Sequence, residues 1–221
     1  MEIEHCTFPD DLLYDLEGNT WTTSEENGEV TVGMTSLLSA IAGKFTLARL
    51  RPVGTRVERG SSLGTLESLK FVGPIPAPIS GIVSTINSDV VKRPKLVNDR
   101  PYDDGWVVKL KPLRFRAERA FLSETVDATE AFKKRIAEFH ARCFKAFPDH
   151  EMYEIGTECS AVLVHLNELL ATVPVGDVAH LVTDDPTSYV EMVRWTDQTG
   201  HALVDWRQEG TLFHFIVRKE N

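Results

Sequence analysis

The chain has 221 residues and a formal net charge of −9, from 24 Lys and Arg against 33 Asp and Glu. Hydrophobic residues make up 42% and charged residues 26%, an ordinary soluble composition that excludes a disordered or fibrous chain. The length fits one large domain or two small ones, and no apolar run approaches the ~18 residues that a membrane helix requires.

The opening stretch Met1–Cys6 lacks the basic start and apolar run of a signal peptide, so none is expected. Cys6, Cys143 and Cys159 are an odd, scattered set without metal-ligand spacing. They predict neither a disulfide framework nor structural zinc, with a reducing cytoplasm as the default compartment. Cys143 is expected to pack in a core, and Cys6 to be a free thiol near the terminus. The seven histidines share no metal spacing. The charge is uneven. Residues 1–120 carry 15 basic and 16 acidic side chains, residues 121–150 carry 5 and 5, and residues 151–221 carry 4 and 12. The acidic last third disfavours nucleic acid as a partner.

The first hundred residues read as β structure. Short apolar runs such as Val30-Thr31-Val32 and Phe45–Leu50 alternate with turns at Asn27-Gly28, Val53-Gly54 and Arg59-Gly60. A short helix over Thr35–Ala42 follows from Leu37, Leu38 and Ile41 on one face, with Gly43 ending it. After Pro112 the pattern turns helical. Asp127–Glu130 has capping-box spacing, and Phe132, Ile136, Phe139, Cys143 and Phe147 form one stripe that Pro148 stops. From Met152 the order is strand, helix, strand, helix and two closing strands, a compact two-layer α/β sandwich of βαβαββ type.

By spacing alone, Lys70 in Gly64–Phe71 is a solvated charge at a hairpin tip. The segment Glu67-Ser68-Leu69-Lys70 nevertheless resembles the lipoyl-lysine motif of glycine cleavage H proteins. Ordered matches surround it: Tyr14, Trp21, Gly33-Met34-Thr35, Val53-Gly54, Pro78–Gly81, Asn87, Leu96–Asn98, Pro101-Tyr102 and Gly105-Trp106. The resemblance covers roughly residues 10–125. It implies an all-β lipoyl hammerhead, a two-sheet flattened barrel with flanking helices, carrying covalent lipoate on Lys70. It also implies that Glu67 guides the lipoate ligase or lipoyl-assembly enzyme. Asn19-Thr20 and Lys44 depart from the family pattern. The stretch Cys6–Asp15 is closer to H-like lipoate-binding proteins linked to heterodisulfide-reductase-like sulfur oxidation.

Cys159 ends Glu154-Ile155-Gly156-Thr157-Glu158-Cys159 and begins a predicted helix. A lone cysteine is ordinarily a small buried hydrophobe. A thiol at a helix N-terminus, however, is expected to have a lowered pKa, with Glu158 opposing. The region 151–221 resembles TusA-type sulfur carriers through Gly176, Thr183–Pro186, Trp195, Gly200-His201 and Gly210 to Arg218. The resemblance implies a persulfide on Cys159, although both prolines of the family's Cys-Pro-x-Pro motif are missing.

The two resemblances predict a lipoyl-binding domain over 1–125, a linker helix over 126–150 and a TusA-like domain over 151–221. The expected function is a carrier in cytoplasmic sulfur transfer rather than a turnover enzyme. Its partners would be a heterodisulfide-reductase-like complex or other sulfur-transfer proteins, with no membrane and no bound metal. Two alternatives stand beside it. One is an H protein of glycine cleavage with an appended docking domain. The other is an interaction protein with Lys70 unmodified and Cys159 inert.

Overall fold

A computed structural model describes all 221 residues as two compact units, Met1–Cys143 and Phe144–Asn221. The first unit starts with the short strands β1 (Glu2–Ile3) and β2 (Cys6–Thr7), which pair with each other. Next come β3 (Leu13–Asp15), β4 (Thr20–Ser24), β5 (Val30–Met34), helix α1 (Ser36–Ala42), β6 (Phe45–Leu50) and β7 (Arg56–Val57). They are followed by β8 (Ser62–Ser68), β9 (Val72–Pro76), β10 (Gly81–Ile86), α2 (Ser88–Lys92), α3 (Leu96–Asp99), β11 (Val108–Pro112), α4 (Phe115–Glu118) and α5 (Thr125–Glu138). A six-stranded sheet has the order β3-β4-β5-β11-β10-β7, and a three-stranded sheet the order β6-β8-β9. This is the predicted two-sheet β architecture with flanking helices.

The core takes every second residue of β5 and, past register shifts, residues three apart on β6 and β8. Val30, Val32 and Met34 of β5 are buried with Phe45 and Ala48 of β6, Leu63 and Leu66 of β8, Ile75 of β9 and Leu110 of β11. Helix α1 forms as expected. Thr35 caps it by accepting the Leu38 N–H at 3.4 Å, and Gly43 ends it at φ 78°, a conformation that favours glycine.

A second cluster lies on α5. Ala128, Phe132 and Ile136, one face at four-residue steps, pack with Phe8, Tyr14, Trp21 and Leu37. The rings of Phe8 and Phe132 stack at 3.8 Å. The Tyr14 hydroxyl donates to the Pro9 carbonyl at 2.7 Å, and its burial raises its pKa. Two details of α5 differ from the sequence reading. It starts at Thr125 after Glu124, so Asp127 lies in the first turn and caps nothing. It also ends at Glu138, with Phe139 half exposed and His140 at φ 47°, so the stripe overran the helix by two turns.

Against the expectation of unpaired thiols, two of the three cysteines are joined. Cys6 and Cys143 form a disulfide, with Cα atoms 5.0 Å apart across a sequence separation of 137. Cys143 does sit in the apolar cluster, but as half of a cystine. The bond also removes the odd set of free thiols that pointed to a reducing compartment. No helix is long and apolar enough to cross a membrane.

The second unit contains β12 (His150–Glu154), α6 (Cys159–Thr172), β13 (Val178–Thr183), α7 (Ser188–Thr199), β14 (Ala202–Glu209) and β15 (Leu212–Arg218). The sheet order is β12-β13-β15-β14, with β12 and β13 parallel and the other pairs antiparallel. This is the predicted βαβαββ sandwich. Val162, Leu166 and Leu170 of α6 and Met192 and Trp195 of α7 cover Ala179, Leu181, Phe215 and Val217. The opposite strand positions hold a buried pair that spacing did not suggest. His180 Nε2 and His214 Nδ1 lie 2.9 Å apart, beside the ring of Phe144.

Candidate functional sites

Lys70 lies in the three-residue connection Leu69-Lys70-Phe71 between β8 and β9, closed by the Ser68 N–H donating to the Phe71 carbonyl at 2.7 Å. Leu69 is fully exposed and Val72 is 72% exposed, so the tip stands clear of the body. Its base is rigid. The Ser68 hydroxyl donates to the Ala42 carbonyl at 2.6 Å and accepts the Lys70 N–H at 3.2 Å, fastening the turn to the end of α1. Phe71 folds back with its ring edge against Phe45.

Gly43 completes the seat. A Cβ built on it would fall 2.8 Å from Lys70 Cε, so the lysine stem lies across a bare backbone. Asn98 holds that backbone, donating to the Gly43 carbonyl and accepting the Phe45 N–H, both at 2.9 Å. Such a support presents a lysine while leaving its end free, and it fits a long covalent arm. Sequence reasoning missed Ser68 and Asn98 as supports, although both lie within segments that carry the resemblance. Glu67 is not brought to Lys70. It faces Arg49 on β6 at 3.6 Å and stands two strand positions before the turn.

Cys159 is the first residue of α6 and is 7% exposed. The loop after β13 wraps its helix end. Asp185 accepts the Cys159 N–H at 2.9 Å, and Asp184 accepts the Gly156 N–H at 2.8 Å. Asp185 is held in turn by the Thr187 hydroxyl at 2.6 Å and the Thr187 N–H at 2.7 Å, which keep its carboxyl below the usual carboxylate range. The expected lowering of the thiol pKa is therefore overturned. Burial pushes the Cys159 thiol up, and the negative charges of Asp185 and Glu191 push it further. The carboxylate takes the place at the helix end that would have favoured a thiolate. Lys70 and Cys159 belong to different units.

Residues 12–135 match the family described as Glycine cleavage H-protein, and residues 154–219 match the family described as Sulfurtransferase TusA. "Glycine cleavage system H protein 3" of Aquifex aeolicus is 39% identical over 147 residues, covering 65% of this chain and 91% of that protein. "Probable glycine cleavage system H protein 2" of Sulfurisphaera tokodaii is 46% identical over 111 residues, covering 49% of this chain and 75% of that protein. A solved glycine cleavage system H protein from Mycobacterium marinum aligns with a TM-score of 0.45 and 31% identity, over 48% of this chain and 86% of that one. Proteins of the H family carry lipoate covalently on a lysine. The chain belongs to the glycine cleavage H-protein family, with a TusA-type domain following in the same polypeptide.

Proposed function

We propose that the chain is a two-module carrier for sulfur transfer, with lipoate attached to Lys70 and sulfane sulfur received on Cys159. The observation that carries the lipoyl part of this reading is the support under Lys70: an exposed turn anchored by Ser68, over a glycine that leaves room for the lysine stem. Bound lipoate supplies a dithiol/disulfide pair able to take up and release a group by thiol exchange. Ser68 and Gly43 fix the root of the arm, and the exposed Leu69 and Val72 give lipoyl-attaching enzymes an apolar handle beside it. Glu67 serves as a recognition residue and touches no reacting atom.

The TusA match supports a sulfur-handling role for Cys159. Its thiol is sheltered beneath the Asp185 carboxylate at the helix end, so this reading assigns to a partner the step that loosens Asp185. Heterodisulfide-reductase-like or other sulfur-transfer proteins fit that role in a cytoplasmic setting. A persulfide donor should add sulfur to the wild-type protein and not to Cys159→Ser. An unchanged wild-type mass would reduce the second unit to a docking domain.

The names of the relatives favour a second reading, in which the arm carries an aminomethyl group for glycine cleavage. Reconstitution with glycine-cleavage partner enzymes separates the two, because robust turnover there would displace the sulfur reading. Both need the modification at Lys70. Intact mass of protein from its native host should show one lipoyl group, absent in Lys70→Arg; an unmodified wild-type chain would remove the carrier reading altogether.

A further inference from the structure

We propose that the His180–His214 pair is a proton-operated latch, which holds the segment 144–147 against the sheet of the second unit and releases it in mildly acidic solution. The latch is independent of the chemistry assigned to Lys70 and Cys159.

In the antiparallel register of β13 and β15, His180 stands opposite Ile216 and His214 opposite Val182. Both histidines therefore point away from the sheet face that α6 and α7 cover, where Ala179, Leu181, Phe215 and Val217 lie. Their rings stack 5.2 Å apart, and His180 Nε2 meets His214 Nδ1 at 2.9 Å. Such a contact needs one nitrogen that carries a proton and one that does not. His180 is 5% exposed and His214 2%, so water is not at hand to replace a lost partner. Phe144 rests on the pair, its ring centre 4.8 Å from that of His180 and 6.2 Å from that of His214. The Arg207 guanidinium on β14 packs on the same ring at 4.3 Å, and the Lys145 N–H donates to the Asp205 carboxylate at 3.1 Å. Residues 144–147 form no helix or strand. Contacts of this kind, rather than a backbone ladder, fasten them.

A first proton leaves the histidine contact intact, because a charged N–H still meets a bare nitrogen. Glu209, 3.6 Å from His214 Nε2, favours that charge, and Arg207, which Glu209 holds at 2.8 Å, opposes it. Tyr153 on β12 turns its ring toward His180 at 6.4 Å. Glu151 stands opposite His180 in the register of β12 and β13, and Arg218 closes the same face of β15. A second proton sets N–H against N–H and two like charges side by side in a buried site. The rings must then part, and Phe144 loses the surface it rests on. The released pair takes up that proton near the ordinary histidine value of about 6.5, the latched pair only below it. Attachment is therefore complete above that pH and weakens as the pH falls through it. Release frees 144–147 as additional chain between Cys143 and β12, where the two units join.

The test follows the backbone amides of 144–147 in the full-length, oxidised protein by hydrogen–deuterium exchange and mass spectrometry at pH 7.5 and 5.5. The comparison protein is His180→Gln/His214→Asn, whose amides offer a donor and an acceptor near the same two nitrogens and do not titrate. Comparing the proteins at each pH cancels the intrinsic pH dependence of exchange. The two should agree at pH 7.5, and at pH 5.5 the wild type should exchange about fivefold faster or more in 144–147 but not in α6. Equal exchange at pH 5.5 would overturn the proposal. Should the double variant fail to fold, exchange of the histidine ring C–H groups in the wild type reads the titration of His180 and His214 directly. Loosening of 144–147 that tracks their joint titration upholds the latch. Titration without loosening, or no titration of the pair down to pH 5, would overturn it.

Discussion

At the scale of single residues, the Lys70 seat depends on the absence of an atom. Gly43 combines φ 78° with a Cβ position already occupied by the lysine stem. An alanine there meets backbone strain of about 1–3 kcal/mol and displaces the Lys70 stem. Gly43→Ala should therefore lower the melting temperature modestly and slow lipoylation severalfold, measured as the rate of mass gain with a lipoate ligase. At Cys159 burial raises the thiol most, and the Asp185 carboxylate adds to it. Asp185→Asn keeps a hydrogen-bond acceptor near the Cys159 N–H and removes the charge. The midpoint of the pH profile for iodoacetamide alkylation should then move down toward the ordinary thiol range. An unmoved midpoint would assign the upward shift to burial and Glu191. The wild-type Asp185 carboxyl titrates below its ordinary range, so its anchoring of the helix end persists above that range. It is lost only as the pH falls through the depressed value.

At the scale of elements, α5 shows both the reach and the limit of pattern reading. Phe132 and Ile136 fall on the predicted stripe and are buried against Phe8 and Tyr14. Phe132→Ala should destabilise the first unit by about 3–5 kcal/mol, seen as a shift in the urea midpoint. The same stripe continued through Phe139, Cys143 and Phe147, yet the helix stops at Glu138. Apolar spacing records which side chains seek a core, and an irregular chain can deliver them too. Cys143 reaches the cluster from such a segment. Short apolar runs between glycine turns made the two-sheet unit legible, and apolar runs, helix stripes and turns did the same for the βαβαββ order of the second. The motif located Lys70 and Cys159 but not what surrounds them. Asn98 lies 28 residues from Lys70 in sequence and Asp185 lies 26 from Cys159, so no local pattern discloses either contact. The His180–His214 pair was hidden similarly, since it requires the antiparallel register of β13 and β15.

At the scale of the whole molecule, charge and covalent linkage distinguish the two units. Residues 144–221 hold 5 basic and 13 acidic side chains, which places −8 of the −9 on the second unit. Its docking partners should present basic surfaces. Their affinity for the full chain should fall as the Debye length shrinks from about 30 Å at low salt to about 8 Å at physiological salt. A salt-independent Kd would point instead to the exposed apolar residues of that unit. The first unit is nearly neutral and is closed by the cystine across its ends. A loop of that size restricts the unfolded chain strongly, and loss of a native disulfide typically costs about 2–5 kcal/mol. At ~3 °C per kcal/mol for a unit of this size, mild reduction should lower its melting temperature by roughly 6–15 °C. The second unit, which has only the free Cys159, should melt unchanged. Two calorimetric transitions, of which reduction moves one, would tie the covalent effect to the first unit. A single transition that moves as a whole would instead mean that the two units unfold together.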